Sequence, residues 1–189
     1  MMRINCRLKA LIFVGAVFLL LMTLPVRASP QEDYLDRVAP VAQEICRQYG
    51  IPPSAYLGMS ALESGWGRSW LAVNANNYFG RKCLSDPCVE VWTPEYRDGI
   101  RRMEPHMFQV YPTLRAAIHG YCQQFFRRWP DGTPIYKFDA RNAEAFIRSI
   151  VPPYATDPEY IGKVLGIIRR YDLTRYDRLQ PQKSRPQGR

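Results

Sequence analysis

The stretch SALESGWGRSWLAVNANNYFG, Ser60 to Gly80, sets a single carboxylate, Glu63, among small and aromatic residues, then places Asn74, Asn76 and Asn77 ahead of Tyr78-Phe79-Gly80. Just upstream, Ser54 follows Pro52-Pro53 and can cap a helix running to about Ser64, with Leu57, Met59 and Ala61 among its inward positions. Gly65 and Gly67 end that helix and leave Glu63 on its last turn. A carboxyl group set against apolar surface loses hydration mainly at the expense of its ionised form, so its pKa rises and it can hold a proton near neutrality. Leu62, Trp66 and Trp70 supply such surroundings, with no basic residue in the stretch before Arg68. Cleaving a glycosidic bond needs an acid of this kind to protonate the departing oxygen, plus stabilisation of an oxocarbenium-like transition state. The competing reading is a solvated glutamate at a helix end.

Working outward, Tyr34, Val38, Val41 and Ile45 recur at helical spacing and stop at Gly50-Ile51-Pro52-Pro53. Between Cys88 and Tyr111 the residues Val, Trp, Tyr, Ile and Phe gather around Arg97-Asp98-Gly99, which predicts a hairpin turning at Asp98-Gly99. Leu114, Ile118, Tyr121 and Phe125 then form the broad apolar face of a core helix. A short helix over Asn142 to Ile150 is expected to break at Pro152-Pro153. Asp157-Pro158 caps and opens the last helix, in which Ile161, Val164, Leu165 and Ile168 repeat. The pattern is a mainly α-helical α+β chain with one β-rich insertion.

The first 28 residues carry Arg3, Arg7 and Lys9, an apolar run of fifteen residues from Ala10 to Leu24, and small residues ending at Ala28. This reads as a cleaved signal peptide, with an uncleaved membrane anchor as the minority reading, since the run is shorter than the roughly 18 to 20 residues that span a bilayer. Residues 29–173 then form one domain, and residues 174–189 a disordered basic tail. Four positive charges leave with the signal, so the formal net charge falls from +9 to about +5. A basic exported surface suits an acidic partner such as a polyanionic wall or lipid surface, or simply solubility. Nucleic acid is disfavoured by the absence of any helix-turn-helix, finger or aromatic-interleaved basic motif. Four cysteines remain, which in an exported chain argues for disulfides with three possible pairings. Cys83 and Cys88 flank the turn-forming Leu84-Ser85-Asp86-Pro87 and favour a local bridge, leaving Cys46 and Cys122 to join two helices. Zinc is disfavoured, because the cysteines and the two histidines, His106 and His119, lack paired ligand spacing.

ALESGWGRS followed by NANNYFG resembles the motif of the family 73 glycoside hydrolases, bacterial N-acetylglucosaminidases that cut peptidoglycan and include autolysins and flagellar-rod cell-wall hydrolases. TPEYRDG resembles the family's hairpin, FQVYPTLRAAIHGY its aromatic entry into the next helix, and YATDPEYIGKV its last-helix signature. These segments occur in the family's order and cover most of Ile51 to Tyr171. The resemblance implies a lysozyme-like α lobe facing a small β-hairpin lobe across a cleft. It further implies hydrolysis of the β-1,4 bond after N-acetylglucosamine with Glu63 as general acid, and no metal or cofactor. Glu95 matches the hairpin carboxylate proposed in some members as base or electrostatic partner, with a surface pair to Arg97 as its bland reading. Tyr154 matches a tyrosine near the cleft that orients the N-acetyl group or helps its carbonyl act in the reaction, with packing at the start of the last helix as its bland reading. Asn77 and Phe79 would line the cleft floor, an amide suiting sugar hydroxyls and a ring the apolar face of a pyranose. Trp66 would serve as a wall beside Glu63 or as core. Asp157 has a complete explanation as a helix cap. The segment RKCLSDPCVEV departs from the plainer loop of many members and would stiffen the β lobe or reshape one end of the cleft.

Glycan strands of peptidoglycan are the expected partner, with room for an unidentified envelope-machine partner. A lytic transglycosylase is the nearest alternative, disfavoured because NNYFG stands where a GLMQ-like segment would be. A catalytically weak glycan-binding or assembly protein is the alternative outside enzymes; it would need the amide and aromatic groups but no acid.

Overall fold

The computed structural model of the chain describes residues 29–97, 100–154 and 157–178, the side chains of residues 96–97 and 152–154 excepted. The expected signal segment, the turn residues Asp98-Gly99 and the tail beyond Arg178 lie outside the described residues. The chain runs through α1 (Pro30–Gln48), α2 (Pro53–Ser64), α3 (Trp70–Ala75), β1 (Cys88–Arg97), β2 (Ile100–Gln109), α4 (Leu114–Gln124), α5 (Ala143–Tyr154), α6 (Tyr160–Arg170) and a 3-10 helix (Leu173–Asp177). It is a mainly helical fold with a small two-stranded lobe, the lysozyme-like α+β arrangement the sequence implied.

The first helix begins earlier than its apolar repeat. Ser29 Oγ accepts the Glu32 N–H at 3.2 Å while Glu32 Oε2 accepts the Ser29 N–H at 2.7 Å, a reciprocal cap that starts the helix at Pro30. Helix α2 is the axis of the fold. Every residue from Pro53 to Ala61 is buried, and α1, α5, α6 and the 3-10 helix pack around it. Gly58 lets α6 approach, since a Cβ there would lie 2.7 Å from Ile168 Cγ1.

Ser54 does not cap α2 with its own side chain, as expected; it is itself capped. The Asp177 carboxylate accepts the Ser54 N–H at 2.8 Å and the Ser54 O–H at 2.6 Å. The contact ties the 3-10 helix to the start of α2. Leu173 is fully buried, and Gln43 Nε2 and Arg47 Nη2 both donate to the Tyr176 carbonyl, at 2.8 and 3.0 Å. Helix α5 likewise exceeds its expected end at Ile150 and passes through Pro152-Pro153 to Tyr154. Both prolines fall in its final turn, near where the helix closes in any case.

The strands pair antiparallel from Cys88↔Gln109 to Arg97↔Ile100, which brackets Asp98-Gly99 as the connecting pair. Trp92, Pro94, Met103, Pro105 and Met107 share the exposed face of the ribbon, whereas Val91, Thr93, Glu95, Glu104 and His106 share the less exposed one. Neither strand has more than slight contact with a helix. The ribbon is instead tied at its base, where the Gln109 N–H donates to the Arg81 carbonyl and the Tyr111 N–H to the Ala75 carbonyl. Cys83 and Cys88 form a disulfide beside this base. Cys46 and Cys122 do not form the second bridge the cysteine count suggested. They are buried free thiols on α1 and α4, with sulfur atoms 3.7 Å apart.

Candidate functional site

The chain reverses sharply after Glu63. Gly65, Trp66 and Gly67 take φ values of 56°, 62° and 70°, three consecutive left-handed residues. Glycine adopts this conformation freely, whereas Trp66 does so at a steric cost its surroundings must offset. The surroundings are specific. Ser64 Oγ accepts the Gly67 N–H at 2.7 Å, and the Trp66 N–H donates to the Ala61 carbonyl at 2.8 Å. The Trp66 ring meets Tyr34 at 5.6 Å and Tyr171 at 4.5 Å between centroids, both edge-on. A Cβ on Gly67 would lie 2.9 Å from Arg37 Nη2 and 3.1 Å from Tyr34 Cδ2. The turn thereby fixes the end of α2 and the carboxylate it carries.

Glu63 is open to solvent as a residue, yet enough protein crowds its carboxyl group to strip part of its hydration. Burial raises its pKa above the ordinary carboxylate value, and a hydrogen bond donated by Tyr160 at 2.8 Å to Oε1 opposes that rise. The result is a carboxyl group that a ligand can reach and that favours its protonated form more than a free glutamate does. Of the apolar neighbours expected to produce this, Trp66 is engaged with Tyr34 and Tyr171 and Trp70 is 53% exposed.

Glu95 stands on the less exposed face of the ribbon. Its Oε1 lies 2.9 Å from His106 Nε2. Thr93 Oγ1 donates to Glu95 Oε1 at 3.4 Å. His106 carried no motif in the sequence and is joined to this carboxylate only by the pairing of the strands.

Asn77 is placed differently from the cleft floor expected for it. It is buried at 1% exposure, donates both amide hydrogens to the Arg81 and Gln109 carbonyls at 2.9 Å, and accepts the Arg81 N–H at 2.9 Å. Its amide joins the helical lobe to the base of the ribbon. Phe79 stacks on Tyr121 at 4.1 Å and meets Tyr56 edge-on at 5.5 Å, with the remainder of the ring partly exposed. Tyr154 is the last residue of α5, and its side chain lies outside the described residues. Asp157 accepts the Glu159 N–H and pairs with Lys163, both at 2.8 Å, but it is not the helix cap expected of it: the helix begins at Tyr160, and Glu159, in the cap position, makes no side-chain capping bond. Tyr160, at the end of YATDPEY, has no neighbour in sequence that ties it to Glu63, 97 residues away. Among the described residues, no three His, Cys, Asp or Glu side chains gather in a way that could hold a metal ion.

Residues 39–173 match a family model described as glucosaminidase, mannosyl-glycoprotein endo-beta-N-acetylglucosaminidase. The exo-glucosaminidase LytG of Bacillus subtilis is 34% identical over 155 residues, covering 80% of this chain and 55% of that protein. The peptidoglycan hydrolase FlgJ of Salmonella typhimurium is 31% identical over 149 residues, covering 74% and 46%. The chain thus spans about half the length of these relatives. Among solved structures, the catalytic domain of the autolysin Auto from Listeria monocytogenes superposes with a TM-score of 0.73 at 23% identity, covering 94% of this chain and all of that one. That likeness speaks to the fold.

Proposed function

The chain belongs to the glucosaminidase family, and from that premise we propose that it cleaves the β-1,4 glycosidic bond after N-acetylglucosamine in peptidoglycan, with Glu63 as general acid. The observation that carries this reading is the setting of Glu63, accessible at the end of the buried α2 yet partly dehydrated, which raises its pKa above the ordinary carboxylate value. A glycosidic oxygen departs poorly as an alkoxide, and proton transfer from a positioned carboxylic acid removes that obstacle. Glu95, on the less exposed face of the ribbon, is the candidate to offset positive charge developing on the sugar ring. Tyr154 is assigned to the N-acetyl group on the family resemblance, and the exposed part of Phe79 to the apolar face of a sugar. Export through a cleaved residue 1–28 segment would place the domain at its substrate; no described helix is long and apolar enough to cross a membrane.

The test is digestion of purified peptidoglycan by residues 29–189 and by Glu63→Gln, followed by borohydride reduction and mass spectrometry. New reducing ends on N-acetylglucosamine, reduced about 10²- to 10⁴-fold in the variant, are expected. Anhydro-muramic ends would instead identify a transglycosylase. Equal wall binding by both proteins without release of fragments would leave a glycan-binding protein.

A further inference from the structure

Tyr160 reaches Glu63 from a part of the chain 97 residues away, and both partners are held by rigid elements. Tyr160 is the first residue of α6, only 6% exposed, so its ring is fixed in the core and its hydroxyl is aimed rather than free to wander. Helix α6 in turn is locked against α2 where Ile168 and Val164 cover Gly58. Glu63 is held from the other side by the left-handed turn at Gly65-Trp66-Gly67. Two elements that meet along their length therefore bring one phenol to one carboxylate oxygen.

We propose that Tyr160 is the positioning residue for Glu63: by donating to Oε1 it confines the transferable proton to Oε2 and fixes the side of the carboxyl group from which the leaving oxygen is protonated. This rests on Glu63 being the general acid. In the neutral acid, Oε1 is the carbonyl oxygen and accepts from the phenol while Oε2 carries the proton. When that proton passes to the glycosidic oxygen, the carbon–oxygen bond to the sugar breaks and its electron pair stays with the departing oxygen. The carboxylate left behind holds its new charge partly on Oε1, and the phenol hydrogen bond to it strengthens. Tyr160 thus acts through Glu63 at the moment of transfer. The same bond favours the ionised form of Glu63 and so counteracts burial.

The experiment compares wild type with Tyr160→Phe and Tyr160→Leu, measuring kcat and KM on soluble glycan strands across pH, with Glu63 titrated in parallel by 13C NMR of labelled glutamate. Removing only the hydroxyl is expected to lower kcat by about tenfold or more, the scale of one hydrogen bond to a charged group, with KM near wild type. It should also move the alkaline limb of kcat/KM, and the Glu63 titration, to higher pH. Tyr160→Leu, which also removes the ring, should show the same upward movement on top of a lower melting temperature. An alkaline limb and a carboxyl titration that both stay in place in Tyr160→Phe would overturn the proposal and leave Tyr160 as packing. Glu63→Gln separates the two readings: full activity in that variant sinks the assignment of the acid, whereas an inactive Glu63→Gln with an unmoved Tyr160→Phe profile sinks the positioning role alone.

Discussion

At Glu63 the sign of the linkage between protonation and stability can be worked out. Its pKa is raised in the folded chain, so the fold binds that proton more tightly than the unfolded chain does. The stability this contributes is fully present below the unfolded-state pKa and is lost as pH rises through the folded one. Ionising Glu63 therefore costs more in the folded chain than in the unfolded one. Glu63→Gln is expected to melt no lower than wild type at pH 7, with the difference shrinking as the solution is acidified, measured by calorimetry across pH. Catalysis has the same polarity, since the acid must be protonated to act: kcat/KM should hold below the Glu63 pKa and decline above it. Gly67 makes a second residue-level prediction. Its φ of +70° is left-handed, and a Cβ there would press on Arg37 and Tyr34. Gly67→Ala should destabilise by about 1–2 kcal/mol from the left-handed conformation alone, read by urea denaturation.

Helix ends explain where the elements were legible and where they were not. The apolar faces of α1, α4 and α6 follow from spacing, because a helix buried on one side repeats its apolar residues along that side. The start of α1 was also written in the chain, as Ser29-Pro30-Gln31-Glu32, although its apolar repeat begins only at Tyr34. The six-residue α3 is too short for any repeat to develop, and its signal was the Ser69 cap alone. The cap on α2 was not legible at all, since Asp177 and Ser54 lie 123 residues apart. Asp177→Ala should therefore act on α2 rather than locally, costing about 1 kcal/mol in thermal or urea unfolding. Ending the chain at residue 173 should cost more, because it also removes the carbonyl groups that Gln43 and Arg47 address.

For the molecule as a whole, sequence patterns outlined the two-lobe plan and singled out Glu63 and Glu95, because motif residues and turn chemistry are local. The partners of those residues were hidden for the opposite reason. Tyr160 meets Glu63 through helix packing, His106 meets Glu95 through strand pairing, and Asn77, expected as a sugar contact, spends its amide on the Arg81 and Gln109 backbone. Helix α2, wrapped along nearly its whole length, also has a meaning in time. Its amide hydrogens should exchange with deuterium only when the entire domain unfolds, while those of the ribbon, tied at one end, exchange through local openings. Mass-spectrometric exchange should find the slowest amides in residues 55–61 and markedly faster ones in residues 91–97 and 100–104. The ribbon can then peel away and return many times within one folded lifetime, and at each return it finds the acid where it was left.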